Sequence, residues 1–373
     1  MQSTKFVEID RGELRNDGVS KSGKCLLIGS TKAYSGKTAI ALGIAHGLQE
    51  EGFILGYGKP LETNFREGQK DTTPTDVSFV TKMLKLSESQ IRQTLLLLDE
   101  GTLHKHLRGE DRTNYPQSLQ QYCAKEGEDF VILEGPATLE EGSLFDLSLP
   151  QMAETLKASV LLVVRPIDLF VDDILGAKRI LRDRLLGVII NDVPSEQVEF
   201  VSTTVSPFLE SVEIPVLGVL PRSALLRSVS VNELVHRLKA EVLCRGDRLD
   251  LMVESLAIGA MNVSSAMKYF RKSRNMAVIT GGDRTDIQLA ALESSTQCLI
   301  LTGHLPPSPL VLSRAEEVEI PILSVDLDTR TTVEVVDSTF GQVYIHEPIK
   351  VQSMMQLMSE HFDRSRFLSL IKG

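Results

Sequence analysis

The chain lacks any apolar run approaching the roughly 18 residues that a membrane-spanning helix requires, which argues against a helical span. Its polar, acid-bearing N-terminal stretch has no apolar segment of the secretory kind, which points to a cytoplasmic location. Cysteine is scarce: Cys25, Cys123, Cys244 and Cys298 stand far apart with no C-x-x-C pair. That spacing argues against a disulfide framework and reads as reduced, mostly buried thiols. His104 and His106 are close together, but no cysteine or carboxylate cluster completes a metal set around them, and a solvated loop is expected there. A surplus of positive charge is also missing. Forty Lys and Arg stand against fifty Asp and Glu, a net charge of −10. Nucleic acid and anionic membranes both need a basic surface, so neither is an expected partner. Neither an internal repeat nor a low-complexity tract is present. What remains is an ordinary globular composition, 42% hydrophobic and 24% charged, in 373 residues, long enough for two domains.

The chain is organised around residues 24–38. Lys24 to Gly29 is a short apolar run, read as a buried strand. Ser30 to Thr38 is a loop ending in Gly36-Lys37-Thr38, and Ile40, Ala41, Ile44, Ala45 and Leu48 then recur at helical spacing. Strand, Gly-Lys-Thr loop and helix together make a phosphate-binding P-loop. Gly36 lets the backbone approach phosphate oxygens, and the loop amides with the helix N-terminus aim partial positive charge at an anion. Lys37 would reach the β and γ phosphates and Thr38 would offer its hydroxyl to Mg²⁺, with Ser35 and Gly36 completing the cradle. The pattern departs from the usual one at its first glycine, where Thr31 stands; Gly29 lies two residues earlier. Lys32 lies five residues before Lys37, the spacing of the additional lysine in deviant P-loops of the partitioning-ATPase type; otherwise it is a solvated loop lysine.

Residues 1–22 read as a leader. From Lys24 onward strands and helices alternate, the sign of a parallel α/β sheet. Strands are expected at 53–57, 129–133, 159–164, 185–190 and 214–220. A helical stretch is expected within 80–98 and a helix over about 195–211. The polar residues stand just past the strands, where a doubly wound sheet holds its ligands. Glu134 follows an apolar strand as a metal-binding acid would, and Asp76, in a polar insert, is a second candidate. Lys59 could add positive charge near a γ-phosphate, and Asn191 could read an adenine edge, since its amide both donates and accepts. Taken singly, each is commonly a plain turn or surface residue; their shared placement raises them. Residues 244–248 read as a boundary, giving a P-loop domain over 23–243 and a smaller α/β domain over 244–365. In the latter, strands are expected at 276–279, 298–301 and 321–325. The turn Gly281-Gly282-Asp283-Arg284-Thr285-Asp286 opens a helix. Asp283, Arg284 and Thr285 could hold a small anion there, or an Asp–Arg pair could simply pin the turn.

The N-terminal part resembles dethiobiotin synthetase. The matching pieces, in order, are the Gly-Lys-Thr loop, Gly56-Tyr57-Gly58-Lys59-Pro60, Leu133-Glu134-Gly135, Ile190-Asn191-Asp192-Val193 and Val216 to Pro221. The C-terminal part resembles the DRTGG domain through Ile258-Gly259-Ala260-Met261 and Gly282 to Asp286. Joined in this order, the two are similar to the N-terminal, regulatory half of long-form phosphate acetyltransferases. The resemblance implies a P-loop NTPase-type parallel sheet flanked by helices, followed by a smaller α/β domain. It also implies ATP and Mg²⁺ as ligands, with Lys37 and Lys59 as the charge-bearing catalytic candidates. Ser35, Gly36, Lys37, Thr38 and Asn191 would bind nucleotide, and Thr38, Asp76 and Glu134 would bind metal.

Two departures from the pattern shape the expected function. The acetyltransferase catalytic domain is not within these 373 residues, so acetyl transfer to phosphate is not expected of them. The synthetase's acceptor side is altered: Lys59-Pro60 is followed by Leu61-Glu62-Thr63-Asn64, and Glu62 sets a negative charge where a carbamate would sit. An ATP-Mg-binding regulatory protein, with a C-terminal unit that senses a metabolite or docks a protein, is the first expectation. An ATP-dependent synthetase acting on another substrate is the second, and a subunit that pairs with a separate catalytic chain is the third. Because synthetase-type P-loop domains often complete their site at a dimer interface, a homo-oligomer is expected.

Overall fold

A computed structural model describes residues 24–63, 76–123, 127–340 and 347–372. The leader 1–22 and part of the polar insert lie outside the described residues. The first sheet has seven strands: β1 (Lys24–Ser30), β2 (Leu55–Gly58), β3 (Ile91–Arg92), β4 (Phe130–Glu134), β5 (Ser159–Val164), β6 (Leu185–Val193) and β7 (Val216–Pro221). Their order is β3-β2-β4-β1-β5-β6-β7, and every pairing is parallel. A parallel sheet is covered on both faces, so its strands read as continuous apolar runs. β4 is Phe-Val-Ile-Leu-Glu, buried throughout, and β5 is buried after its first residue. Two apolar cores form on the opposite faces of this sheet. The expected P-loop NTPase-type architecture is therefore present.

The register positions the site. β1 lies between β4 and β5, with Ile28 opposite Glu134 and Ser30 opposite Val163. Helix α1 (Lys37–Glu50) follows the loop after β1 and buries Ile40, Ile44 and Leu48 against the sheet. Helix α2 (Asp76–Met83) occupies the start of the stretch expected to be helical over 80–98. The rest of that stretch is not one helix. Ile91–Arg92 joins the edge of the sheet and Leu96–Leu98 pairs with Leu61–Thr63. The buried Arg92 explains the change: it pairs with the buried Glu128 and donates to the Tyr122 and Ser89 carbonyls, tying the segment to the sheet edge.

The second sheet contains β8 (Glu241–Cys244), β9 (Ser255–Ile258), β10 (Met276–Gly281), β11 (Thr296–Thr302) and β12 (Ile322–Val325), ordered β8-β12-β11-β10-β9. Only β8 is antiparallel to its neighbour in this sheet. Helix α3 (Thr285–Leu292) follows β10. Val229, Val231, Leu234 and Leu238 belong to a core of the second sheet. Helices α4 (Pro348–His361) and α5 (Arg364–Lys372) return to the first, where Val351, Met354, Met358, Phe367, Leu368 and Ile371 join the α1 core. Gly43 and Gly47 explain the return. One turn apart on α1, they leave a shallow face in which a Cβ would stand 2.6 Å from Met358 Cγ and 2.9 Å from Arg364 Nη2.

Candidate functional site

The loop after β1 turns into α1 at Gly36, whose φ of 90° and ψ of 24° lie in the left-handed region that favours glycine. A Cβ there would stand 2.4 Å from Asn191 Nδ2. Asn191 itself donates from Nδ2 to the Ser35 carbonyl at 3.0 Å, so β6 and the loop are locked together at this point. Ser35 Oγ donates to the Lys32 carbonyl at 2.6 Å, which closes the loop on itself. Lys37 Nζ donates to Ser30 Oγ at 2.9 Å, and that hydroxyl donates to the Ala137 carbonyl at 2.8 Å. Thr38 Oγ1 donates to Glu134 Oε2 at 2.8 Å, while the Tyr57 hydroxyl donates to Glu134 Oε1.

The structure thus brings together Ser35, Gly36, Lys37, Thr38, Glu134 and Asn191 around one loop. Glu134 is 1% exposed and Tyr57 likewise. A carboxylate this deep persists because donors satisfy it. Hydroxyl and carboxylate oxygens side by side are the hard donors that Mg²⁺ takes, so Thr38 and Glu134 fit that ion. Asp76 opens α2, but its side chain lies outside the described residues. Among the described residues, no group of three or more His, Cys, Asp or Glu side chains is arranged to hold a metal. Lys59 follows β2 directly and is half-buried. Lys32 faces Asp168 and Asp173, each at 3.3 Å. Hydrogen bonding to Asp173 is the largest influence raising its pKa.

Sequence reasoning missed Tyr57 and Ser30. A tyrosine in a buried strand needs a partner for its hydroxyl, and that need was the available signal. It also missed the ion-pair cluster beside Asn191. Asp192 Oδ2 receives Arg165 Nη2 at 2.6 Å and Arg227 Nη1 at 2.7 Å, and Oδ1 receives Arg222 Nε at 3.1 Å.

In the second sheet, Arg284 pairs with Asp286 at 3.1 Å and donates to the Met261 carbonyl at 2.9 Å. Asp286 is held below the usual carboxylate range chiefly by Arg284. The buried Gln288 donates to the carbonyls of Gly281 and Gly282 at 2.9 and 3.0 Å. An Asp–Arg pair does pin this turn, and its acid is Asp286. Asp283 is exposed and Thr285 half-buried at the head of α3.

A family model described as an AAA domain matches residues 24–230, more than half of the chain. The chain belongs to the AAA domain family. A DRTGG domain model matches residues 233–339 of the same chain. The dethiobiotin synthetase-like P-loop unit and the DRTGG unit therefore stand in the order the motifs indicate, and the chain is homologous to the N-terminal half of phosphate acetyltransferases. The phosphate acetyltransferase of Nitratidesulfovibrio vulgaris is 25% identical over 362 residues, covering 91% of this chain and 50% of that protein. Its counterpart in Synechocystis sp. is 25% identical over 380 residues, covering 93% of this chain and 52% of that protein. The chain spans about half the length of the curated relatives it matches. Among solved structures, the septum site-determining protein MinD with Mg-ADP, from Pyrococcus horikoshii, is 18% identical at a TM-score of 0.34, covering 55% of this chain and 84% of that one. The CBS and DRTGG domains of Clostridium perfringens pyrophosphatase, complexed with diadenosine tetraphosphate, are 23% identical at a TM-score of 0.28, covering 42% and 69%. No helix among the described residues is long and apolar enough to cross a membrane.

Proposed function

We propose that this chain is a cytoplasmic, ATP-Mg-binding regulatory protein built from two units, in which the DRTGG unit senses a metabolite or docks a partner. The observation that carries the reading is the loop itself. Gly36 opens α1 in the left-handed region, Lys37 reaches back to Ser30, and Thr38 meets the buried Glu134. Backbone amides at such a helix start favour a phosphate. Lys37 would take the β and γ phosphate oxygens, with Thr38 and Glu134 holding the ion. When bound, that ion would neutralise charge gathering on the phosphates. Asn191, fixed by Ser35, would meet the adenine edge, and Lys59 would complete the positive side. Asp283, Arg284 and Thr285 are the proposed contacts for a second ligand. The regulatory part of the reading rests on the altered acceptor side after Lys59.

The test is calorimetric binding of ATP-Mg²⁺ to wild type and to Lys37→Ala, with phosphate release followed on the same samples. Micromolar binding lost in the variant, with negligible turnover in wild type, is the expected result. Rapid ADP release that depends on an added amine or carboxylate would put the synthetase reading first. Absence of binding in wild type would overturn both. We further propose a homo-oligomer; a monomeric mass in light scattering, with and without ATP, would refute it.

A further inference from the structure

We infer that Arg165, Arg222 and Arg227 form an anion subsite at the nucleoside end of the P-loop site, and that it takes a phosphate carried on the ribose of an adenine nucleotide. The inference rests on the nucleotide reading above. The three arginines come from separate segments. Arg165 follows β5, Arg222 follows β7, and Arg227 ends the short helix Ala224–Arg227. All converge on Asp192, near the end of β6. They therefore gather at the carboxyl edge of the sheet, where open α/β sheets bind ligands.

Their position relative to the loop is fixed through one peptide bond. Asn191 precedes Asp192 and is bonded to the Ser35 carbonyl. A nucleotide whose phosphates lay on Lys37 and whose base met Asn191 would bring its ribose towards this cluster. The charge does not balance there. Three guanidinium cations against the single Asp192 carboxylate leave a formal excess of two positive charges. Nor do the hydrogen bonds balance. Each guanidinium carries five N–H donors and a carboxylate has about four acceptor sites. Arg165 Nε is buried and has no acceptor among the described residues. Arg222 and Arg227 remain 41% and 28% exposed, open enough to be met from solvent. Forked donors around one point suit a phosphate better than a lone ammonium would. Asp192 then acts as the internal counter-ion that keeps the fork aligned until the phosphate joins it.

The test compares ADP with the same nucleotide bearing an additional 2′- or 3′-phosphate, by calorimetry at fixed salt. Wild type is expected to bind one of the ribose-phosphorylated nucleotides about tenfold or more tighter than ADP. In the double variant Arg222→Gln/Arg227→Gln the preference should fall to within about twofold. Equal affinity for all three nucleotides in wild type would overturn the inference and leave the arginines as a clamp on Asp192. A preference that survives the double variant would overturn it too. If the double variant does not fold, Arg222→Gln alone decides in the same way, since Arg222 is the most exposed of the three. Binding of the ribose-phosphorylated nucleotide without any binding of ADP, and unaffected by Lys37→Ala, would overturn the P-loop reading and with it the placement of the subsite at the nucleoside end. Failure of every nucleotide would refute both.

Discussion

At Gly36 the backbone takes a φ of 90° and a Cβ would press within 2.4 Å of the Asn191 amide. Gly36→Ala should therefore cost about 1–3 kcal/mol of stability and break the Asn191–Ser35 bond; urea denaturation and ATP calorimetry on one sample would report both. The buried Glu134 carries a second prediction. Tyr57 and Thr38 each donate to one of its oxygens. Tyr57→Phe removes one donor from a carboxylate that water does not reach, so a loss of about 1.5–3 kcal/mol is expected in the urea midpoint. No loss would mean that another donor moves in. Gly36, Lys37 and Thr38 were legible in the sequence because a P-loop is a local motif. Tyr57 and the arginines around Asp192 were not, because they converge from segments far apart in the chain.

At the scale of elements, the parallel strands were legible for a related reason. Each is a short apolar run, and β1, β4, β5, β6 and β7 fall within a few residues of their expected places. The edge strand Ile91–Arg92 is too short and too polar to show a period, and only the buried Arg92–Glu128 pair reveals why it sits there. The destination of α5 was equally hidden, although Arg366 marks it. Its guanidinium meets Glu210 through two bonds of 2.6 Å. Arg366 is the main reason that the Glu210 carboxyl is held below its usual range. A depressed carboxylate contributes stability that is full above its unfolded value, about pH 4.3, and is lost as pH falls through the folded one. Arg366→Ala should thus destabilise by roughly 0.2–1 kcal/mol near neutrality, both side chains being more than a third exposed. The difference from wild type should vanish in acid. Hydrogen exchange of residues 364–372 as pH is lowered would check the sign, and a gap that widens in acid would refute it.

Across the whole molecule, α4 and α5 tie the first unit to a segment that follows the second in sequence. Met358, 5% exposed, fills the face left by Gly43. Met358→Ala should cost about 2–5 kcal/mol, and near-ultraviolet or calorimetric unfolding should show the loss in the transition of the P-loop unit. Lys350 completes the tie. Its buried ammonium donates to the Ser228 carbonyl at 2.7 Å and stands 3.3 Å from Glu347, where desolvation lowers its pKa. Nothing in the sequence points to this arrangement, because a helical stretch shows that one face must be buried but not against what.

The same return of α4 and α5 has a consequence during synthesis. Domains ordinarily fold as they emerge, the N-terminal one first. Here Ile44 and Leu48 share a core with Phe367 and Ile371, so the P-loop unit cannot close that core until about 150 further residues have left the ribosome after β7. Through that interval one flank of α1 stays uncovered, and the DRTGG unit is fully made before its predecessor is finished.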